Sequence, residues 1–192
     1  MEFLSQQNDR IAGKKVDVET EIHAKGKNVL VIGGGDTGSD CVGTSLRQGA
    51  KNVRQLEVMP KPPLVENKEL EWPNWPMKLR TSSSHQEMKT PEGRAWSVLT
   101  KRFEGGANGQ VKKLHCVEVE WIKENGKMVM HEIPDTEFEI EADLVFLAMG
   151  FVHPVHEGII DKLNLKLDAR GNVLADDSVY TVSYTHLTLP TT

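Results

Sequence analysis

Residues 28–38 read NVLVIGGGDTG, and this stretch decides the fold. Its first half, Asn28–Ile32, is an apolar, β-branched run typical of a strand buried on both faces of a parallel sheet. Glycines then form a tight turn, and Thr37–Gln48 can continue as a helix that Gly49 ends. A second short strand is predicted at Val53–Val58. Strand, glycine turn, helix and strand within about 30 residues predict a βαβ unit.

The glycines fit the pattern G-x-G-x-x-G in the context that it requires, after a strand and at the start of a helix. Gly33 permits the tight turn, Gly35 lets the backbone approach a pyrophosphate, and Gly38 lets helix and strand pack closely. The helix N-terminus offers unpaired N–H groups and the positive end of its dipole to phosphates. The motif predicts a dinucleotide site, and these residues alone leave NAD(P)H and FAD both open as its ligand. The residues predicted to hold the pyrophosphate are Gly33, Gly34, Gly35, Asp36, Thr37 and Gly38.

Glu57 stands at the end of the second predicted strand, about 20 residues beyond the motif. A carboxylate at that point accepts hydrogen bonds from an adenosine ribose. It favours NAD(H), because it would repel the 2′-phosphate of NADP(H). Lys61 and Arg80 are the nearby cations that could accommodate that phosphate instead. We predict Glu57 and Lys61 as cofactor-binding residues.

The rest of the chain changes from α/β to β patterning. Prolines punctuate residues 60–94 and predict an irregular loop, with the WPNWP segment at 72–76 as an anchored part of it. Alternating runs between Trp96 and Glu141 predict antiparallel strands, with a hairpin turn at Asn125-Gly126. Residues 142–150 match a buried strand that rejoins the parallel sheet. The residues predicted to line the nicotinamide side are Ala148, Met149 and Gly150.

Composition narrows the class of protein. The 192 residues are 38% hydrophobic and 27% charged with a net charge of -5, which excludes a disordered chain and argues against a nucleic-acid binder. No stretch approaches the roughly 20 apolar residues of a membrane span. The start, MEFLSQQNDR, lacks the pattern of a secretory signal. We therefore expect a cytoplasmic protein without a nucleic-acid or membrane partner.

No catalytic side chain and no metal site is predicted. Hydride transfer is carried out by cofactors that the protein orients, so it needs little acid–base help. Cys41 and Cys116 are predicted as buried packing residues. His153 and His156 lack a third ligand. His85 follows three serines, but neighbours in sequence do not make a catalytic triad, and a contact to the cofactor or another domain is the preferred interpretation.

Several segments together resemble one family, the small (β) subunit of glutamate synthase or the equivalent C-terminal region of single-chain forms. The glycine motif and ADLVFLAMGF are shared by many flavoproteins with two dinucleotide sites. More diagnostic are LEVMPKPP, WPNWP and LTKRFEG, with LRTSSSHQE in support. The LEVMP stretch has no arginine, which resembles the NADH-using members more than the NADPH-using ones.

The resemblance implies a function. In that family NAD(P)H gives a hydride to FAD, and electrons pass through iron–sulfur clusters to FMN on the large (α) subunit, where glutamate is made from glutamine and 2-oxoglutarate. It also implies that GGGDTG is the NAD(P)H loop, with the FAD loop and the cluster cysteines upstream of Met1. The partners implied are the large subunit and the missing FAD-binding domain.

The expected fold class is α/β. It comprises a Rossmann-like three-layer dinucleotide-binding domain with an antiparallel β insertion, flanked by incomplete pieces of an FAD-binding domain. The predicted divisions are a crossover helix and linker at 1–26, the NAD(P)H-binding domain at 27–152, the return into the FAD domain at 153–181, and a foreign tail at 182–192. Two alternatives remain: the electron-input module of another reductase, similar to dihydropyrimidine dehydrogenase, or a truncated fragment that binds dinucleotide without catalysis. The chain alone is expected to be inactive.

Overall fold

The computed structural model describes residues 1–67, 69, 77–88, 93–176 and 181–182, and it divides into two compact units, Met1–Met149 and Gly150–Thr192. The WPNWP segment and residues 183–192 of the predicted tail lie outside the described residues. Among the helices described, none is long and apolar enough to cross a membrane. The elements of the first unit are α1 (Glu2–Ile11), β1 (Asn28–Ile32), α2 (Asp36–Arg47), β2 (Asn52–Leu56), α3 (Ser83–Gln86), β3 (Arg94–Ala95), β4 (Val98–Gly105), β5 (Val111–Glu124), β6 (Lys127–Glu132), β7 (Phe138–Glu141) and β8 (Leu144–Leu147).

A parallel sheet with the strand order β3-β2-β1-β8 forms the centre of this unit. Strand β1 pairs in parallel with β2 from Asn28–Asn52 to Ile32–Leu56, and with β8 from Val29–Leu144 to Ile32–Leu147. The predicted βαβ unit is therefore confirmed, and β1 has the predicted bounds. The run near residue 145 does rejoin the parallel sheet, as predicted.

Strand β1 shows why the unit has three layers, because its side chains alternate between two separate cores. Val29 and Val31 pack on the helical side with Phe3 of α1 and Val42 of α2. Leu30 packs on the opposite side, against the antiparallel strands. The predicted α/β fold with three layers is confirmed, and the antiparallel sheet itself supplies the third layer.

The antiparallel sheet is built around the long strand β5. Strand β4 pairs along one side of it, and β7 and β6 pair along the other side in succession. Asn125 and Gly126 join β5 to β6 with φ angles of 49° and 80°, as a two-residue hairpin with left-handed backbone requires. The predicted hairpin is confirmed.

Three local predictions were wrong. Antiparallel strands were expected from Trp96 onward, whereas β4 begins at Val98, because Ser97, with a φ of 58°, redirects the chain from the parallel sheet (β3) to the antiparallel one (β4). The stretch 60–94 is not wholly irregular, because Ser82 and His85 form a capping box that starts α3. Strand β8 ends at Leu147, whose side chain is 62% exposed, so the run to residue 150 is shorter and less buried than predicted.

The second unit contains α4 (Ile159–Lys162) and the antiparallel pair β9 (Ala175–Asp176) and β10 (Thr181–Val182). A bridge between Leu167 and Val173 closes a turn around Gly171. The rings of His153 and His156 stack with centroids 4.5 Å apart. The Nε2 atom of His156 lies 2.8 Å from the Gly171 carbonyl oxygen, so this ring has a structural contact within the unit.

Candidate functional site

The glycine loop lies where the carboxyl ends of β1, β2 and β8 meet. Gly33 has a φ of 110°, and its N–H donates to the Leu56 carbonyl at 2.8 Å. A Cβ at this position would overlap the carbonyl oxygen of Ala148. Gly33 therefore cannot be replaced without moving the backbone, on two independent grounds.

The third glycine of the motif also occupies a crowded position. A Cβ on Gly38 would lie 2.5 Å from the Gly33 carbonyl oxygen and 2.8 Å from Nε2 of Gln55. That amide donates to the same Gly33 carbonyl at 2.8 Å. Because Gly38 has no side chain, the buried side chain of Gln55 has the room that it needs to hold the loop.

Gly35 is different, because no described atom comes within 4 Å of a Cβ built on it. It is the N-cap of α2, with a φ of −74° and no side-chain hydrogen bond to the cap within the described residues. The first N–H groups of α2 are therefore available to an external acceptor, and the helix dipole favours an anion there. Asp36, in the first turn, is exposed and opposes that preference in part.

Glu57 is the first residue after β2, and its carboxylate lies against the backbone of Gly34, where a Cβ would overlap it. The side chain is 18% exposed, and Oε1 lies 3.6 Å from Nη2 of Arg94. Burial raises the pKa of the Glu57 carboxyl, and the Arg94 guanidinium offsets part of that rise. The loop and the predicted ribose-binding carboxylate are thus brought together.

The backbone around Glu57 is fixed by both sheets. The Glu57 N–H donates to the Ala95 carbonyl at 2.9 Å, and the Glu57 carbonyl accepts from the Val98 N–H at 2.9 Å. The indole N–H of Trp121 donates to the Val58 carbonyl at 2.9 Å. The antiparallel sheet therefore has a direct role at the site, because it holds the segment that carries the carboxylate.

Arg94 is a residue of this site that the sequence analysis missed. It donates from Nη1 to the Arg80 carbonyl at 2.7 Å and lies 5.0 Å from the Trp96 ring centroid. Lys61 Nζ lies 5.2 Å from the same centroid, so the described contact of Lys61 is with Trp96. The cation paired with Glu57 is therefore Arg94, and the phosphate-binding role of Lys61 stays a prediction. Arg94 stands in a two-residue strand after a loop, and no spacing rule marks it.

A cavity of about 850 Å³ opens beside the glycine loop. Gly34, Gly35 and Asp36 line one part of it, and Lys78 and Arg80 line another. Lys78 also lies 3.8 Å from a Glu66 carboxylate oxygen. This cavity has the size of a ligand pocket, and its cationic side chains lie on the side of the loop where phosphates would bind.

Two of the predicted nicotinamide-side residues, Ala148 and Met149, have their backbone against the loop, since a Cβ on Gly33 would lie 3.1 Å from the Met149 nitrogen. The Ala148 N–H donates to the Ile32 carbonyl at 2.7 Å, and its own carbonyl abuts Gly33. Met149 is 67% exposed at the end of the first unit. Gly150, with a φ of 91°, begins the second unit.

The cysteines have the predicted packing role. Cys41 and Cys116 are free and buried, and burial raises the pKa of the Cys41 thiol to about 11. Both thiols are therefore protonated at neutral pH and unreactive as nucleophiles.

One group on the antiparallel sheet has the composition of a metal site, namely Glu104, His115 and Glu139. Lys113 Nζ lies 2.7 Å from a Glu139 oxygen and 3.6 Å from a Glu104 oxygen. The two carboxylates thus already share one lysine as an ion-pair partner, as in an ordinary surface ion-pair network.

Comparisons with known proteins give one consistent similarity. No family model matches the chain. Glutamate synthase [NADH] of Schizosaccharomyces pombe is 41% identical over 187 residues, which cover 95% of this chain and 9% of that protein. The glutamate synthase [NADPH] small chain of Mycobacterium tuberculosis is 44% identical over 180 residues, which cover 92% of this chain and 35% of that one. The chain thus spans about a third or less of the length of these curated relatives.

Solved structures are more distant. FprA, an oxidoreductase of Mycobacterium tuberculosis, has 12% identity and a TM-score of 0.47, and the match covers 78% of this chain and 45% of FprA. A thioredoxin reductase from Gloeobacter violaceus has 12% identity and a TM-score of 0.40, with 84% of this chain and 40% of the reductase covered.

Proposed function

We propose that this chain is the NAD(P)H-binding part of a glutamate synthase small subunit and that it prefers NADH to NADPH. The observation that carries the proposal is the carboxylate of Glu57 held against Gly34 of a glycine loop that opens helix α2. A carboxylate at this point accepts hydrogen bonds from ribose hydroxyls and repels a 2′-phosphate. The similarity to glutamate synthases over more than nine-tenths of the chain supports the same assignment.

The residues present fit a bound dinucleotide. Gly35 leaves open space where a side chain would stand, and the N-terminus of α2 offers N–H donors to a pyrophosphate. Glu57 would bind the adenosine ribose, and Ala148 and Met149 would border the nicotinamide. When bound, NAD(P)H supplies a hydride, and the chain itself binds and orients the molecule that carries it.

The rest of the electron path belongs to the proposal and not to this chain. FAD would accept the hydride in a domain that the glutamate synthase resemblance implies, and iron–sulfur clusters and FMN would carry electrons to the large subunit. The relatives are about three or more times longer than the matched region. We therefore expect the isolated chain to bind dinucleotide and not to turn it over.

The first test is a calorimetric titration of the chain with NADH and NADPH at one salt concentration. We expect saturable binding of NADH, weakened about tenfold by Glu57→Gln, since a hydrogen bond to a charged group contributes roughly 1.5–3 kcal/mol. NADPH binding should weaken less or improve, because the variant removes the charge that faces the 2′-phosphate. Tighter binding of NADPH by the unmodified chain would contradict the preference, and binding of neither by a folded chain would contradict the function.

The preference should also depend on pH. Because burial raises the pKa of Glu57, this carboxyl takes up its proton at a higher pH than an exposed one. As pH falls from neutrality, the ratio of NADH affinity to NADPH affinity should therefore fall in the unmodified chain. The same titration of Glu57→Gln corrects for protonation of the 2′-phosphate itself. An equal fall of the ratio in both proteins would show that Glu57 does not set the preference.

A further inference from the structure

A continuous chain of hydrogen bonds connects the glycine loop to helix α3. The amide of Gln55, in β2, donates from Nε2 to the Gly33 carbonyl at 2.8 Å. Its Oε1 lies 2.8 Å from Nε2 of His85. Nδ1 of His85 accepts from the Ser82 N–H at 3.0 Å, and the Ser82 hydroxyl lies 2.9 Å from the same atom. Gln55 is completely buried, so both ends of its amide are engaged inside the protein.

The network fixes the protonation state of the histidine. Since a backbone N–H donates to Nδ1, that atom carries a lone pair, and the hydrogen of the neutral ring is on Nε2. His85 therefore donates to Gln55, which leaves the Gln55 amide oriented to donate to Gly33. Burial lowers the pKa of His85, and the positive charge of Arg94 lowers it further. Both influences favour the neutral form that this chain of bonds needs.

The orientation of one peptide group follows from these contacts. In a trans peptide the C=O and the next N–H point in opposite directions. Gln55 holds the Gly33 carbonyl toward the core, so the Gly34 N–H points away from Gln55 and out of the core. Gly34 lines the cavity beside the loop, where a phosphate oxygen could accept from it.

We propose that Gln55 and His85 are positioning residues for dinucleotide binding. Gln55 holds the Gly33–Gly34 peptide so that its N–H is presented to the pyrophosphate, and His85 holds Gln55. The inference rests on the proposed function and deepens it, because it assigns a role in holding the loop to Ser82 and His85 of the SSSHQE segment, residues 82–87.

The substitutions that test this are Gln55→Met, His85→Phe and His85→Gln, each titrated with NADH by calorimetry. Methionine keeps the length of Gln55 and removes both hydrogen bonds, so NADH affinity should fall at least fivefold. Val53→Ala, on the same face of β2 and in the core, is the matched control for lost stability. It should leave NADH affinity within twofold. Equal affinities of Gln55→Met and Val53→Ala would overturn the proposal.

The two histidine variants separate positioning from packing. Glutamine can place an N–H donor close to the position of the histidine Nε2, so His85→Gln should keep NADH affinity within threefold, whereas His85→Phe should lose as much as Gln55→Met. An equal loss in both histidine variants would overturn the proposal.

The pH dependence provides a readout that packing would not change. Protonation of His85 puts a hydrogen on Nδ1 against the Ser82 N–H, so the unmodified chain should lose more NADH affinity on acidification than His85→Gln does. The charged groups around this position, Arg94 on β3 and its partner Glu57, are the same in both proteins. Identical pH profiles would contradict the role of His85. If the unmodified chain binds neither NADH nor NADPH, the proposed function is wrong. If the unmodified chain binds NADH, and the Gln55 and His85 variants bind it as tightly as Val53→Ala does, only the positioning role is wrong.

Discussion

Replacing Gly35 with alanine is expected to weaken NADH binding roughly a hundredfold and to leave the free protein folded. A hundredfold loss corresponds to one or two charge-assisted hydrogen bonds from the loop to a phosphate, at about 1.5–3 kcal/mol each. In the free protein no described atom comes within 4 Å of the new Cβ. The backbone of Gly35, with a φ of −74°, suits any residue. Within the part of the chain that the structure describes, the methyl group would therefore clash with nothing, and the expected clash is with the ligand.

The measurement is the NADH dissociation constant beside the free energy of unfolding. Alanine is a poorer N-cap than glycine, so the free energy of unfolding should fall by less than about 1 kcal/mol. Gly105→Ala is the matched control, because its Cβ would make only an ordinary contact, 3.6 Å from the Gln110 carbonyl oxygen, away from the loop. NADH affinity of Gly35→Ala within threefold of this control would show that the loop does not approach a pyrophosphate.

The sequence predicted site residues wherever the backbone requires a particular residue type at a fixed spacing from a strand or a helix. Gly33, Gly35 and Gly38 could be assigned roles because a strand, a tight turn and a helix N-terminus each place a known demand on one position. Glu57 could be found because the residue that follows β2 meets the glycine loop in any parallel βαβ unit. Strand β1 was predicted to the residue since its apolar run is bounded by glycine.

The partners of these residues could not be predicted, because they come from distant parts of the chain. Gln55 follows Arg54 in a strand of mixed polarity and resembles a surface residue, yet it is fully buried, and Gly33 and His85 satisfy both ends of its amide. Arg94 reaches Glu57 only because β3 lies beside β2 in the sheet. His85 was noted for the serines before it, whereas its contact is with Gln55. Side-chain hydrogen bonds across elements leave no periodic trace.

Gly34 is a case within the motif itself in which the sequence pattern does not predict a contact. It stands at a variable position of G-x-G-x-x-G, where the pattern demands no glycine. The structure supplies the reason for a glycine here, since a Cβ on Gly34 would overlap the Glu57 carboxylate. The backbone of Gly34 is outside the left-handed region, so a larger residue meets no conformational penalty. The conflict is therefore with the one side chain that is proposed to bind the ribose.

Gly34→Ala is accordingly expected to weaken NADH binding ten- to a hundredfold by acting through Glu57. The new methyl group occupies the position of the carboxylate, which must swing away from the loop and from Arg94. The ribose then loses its charged acceptor, at about 1.5–3 kcal/mol, and the mostly buried Arg94 loses its ion pair. The measurement is a double-mutant cycle of NADH affinity over Gly34→Ala, Glu57→Ala and the combined variant.

The double-mutant cycle distinguishes two possible roles of Gly34, which the single variants alone cannot distinguish. If Gly34 is needed only to make room for Glu57, the alanine at position 34 should cost less than about threefold once Glu57 is itself alanine, because nothing remains for the methyl group to displace. If Gly34 were needed instead for close approach of a phosphate, the two losses would multiply, since separate contacts to the ligand are lost independently. Multiplying losses would contradict the coupling, and they would show that a methyl group on Gly34 obstructs the pyrophosphate that the Gly34 N–H is proposed to bind. A strong coupling between the two substitutions would show that the glycine loop and the proposed ribose-binding carboxylate bind the dinucleotide together.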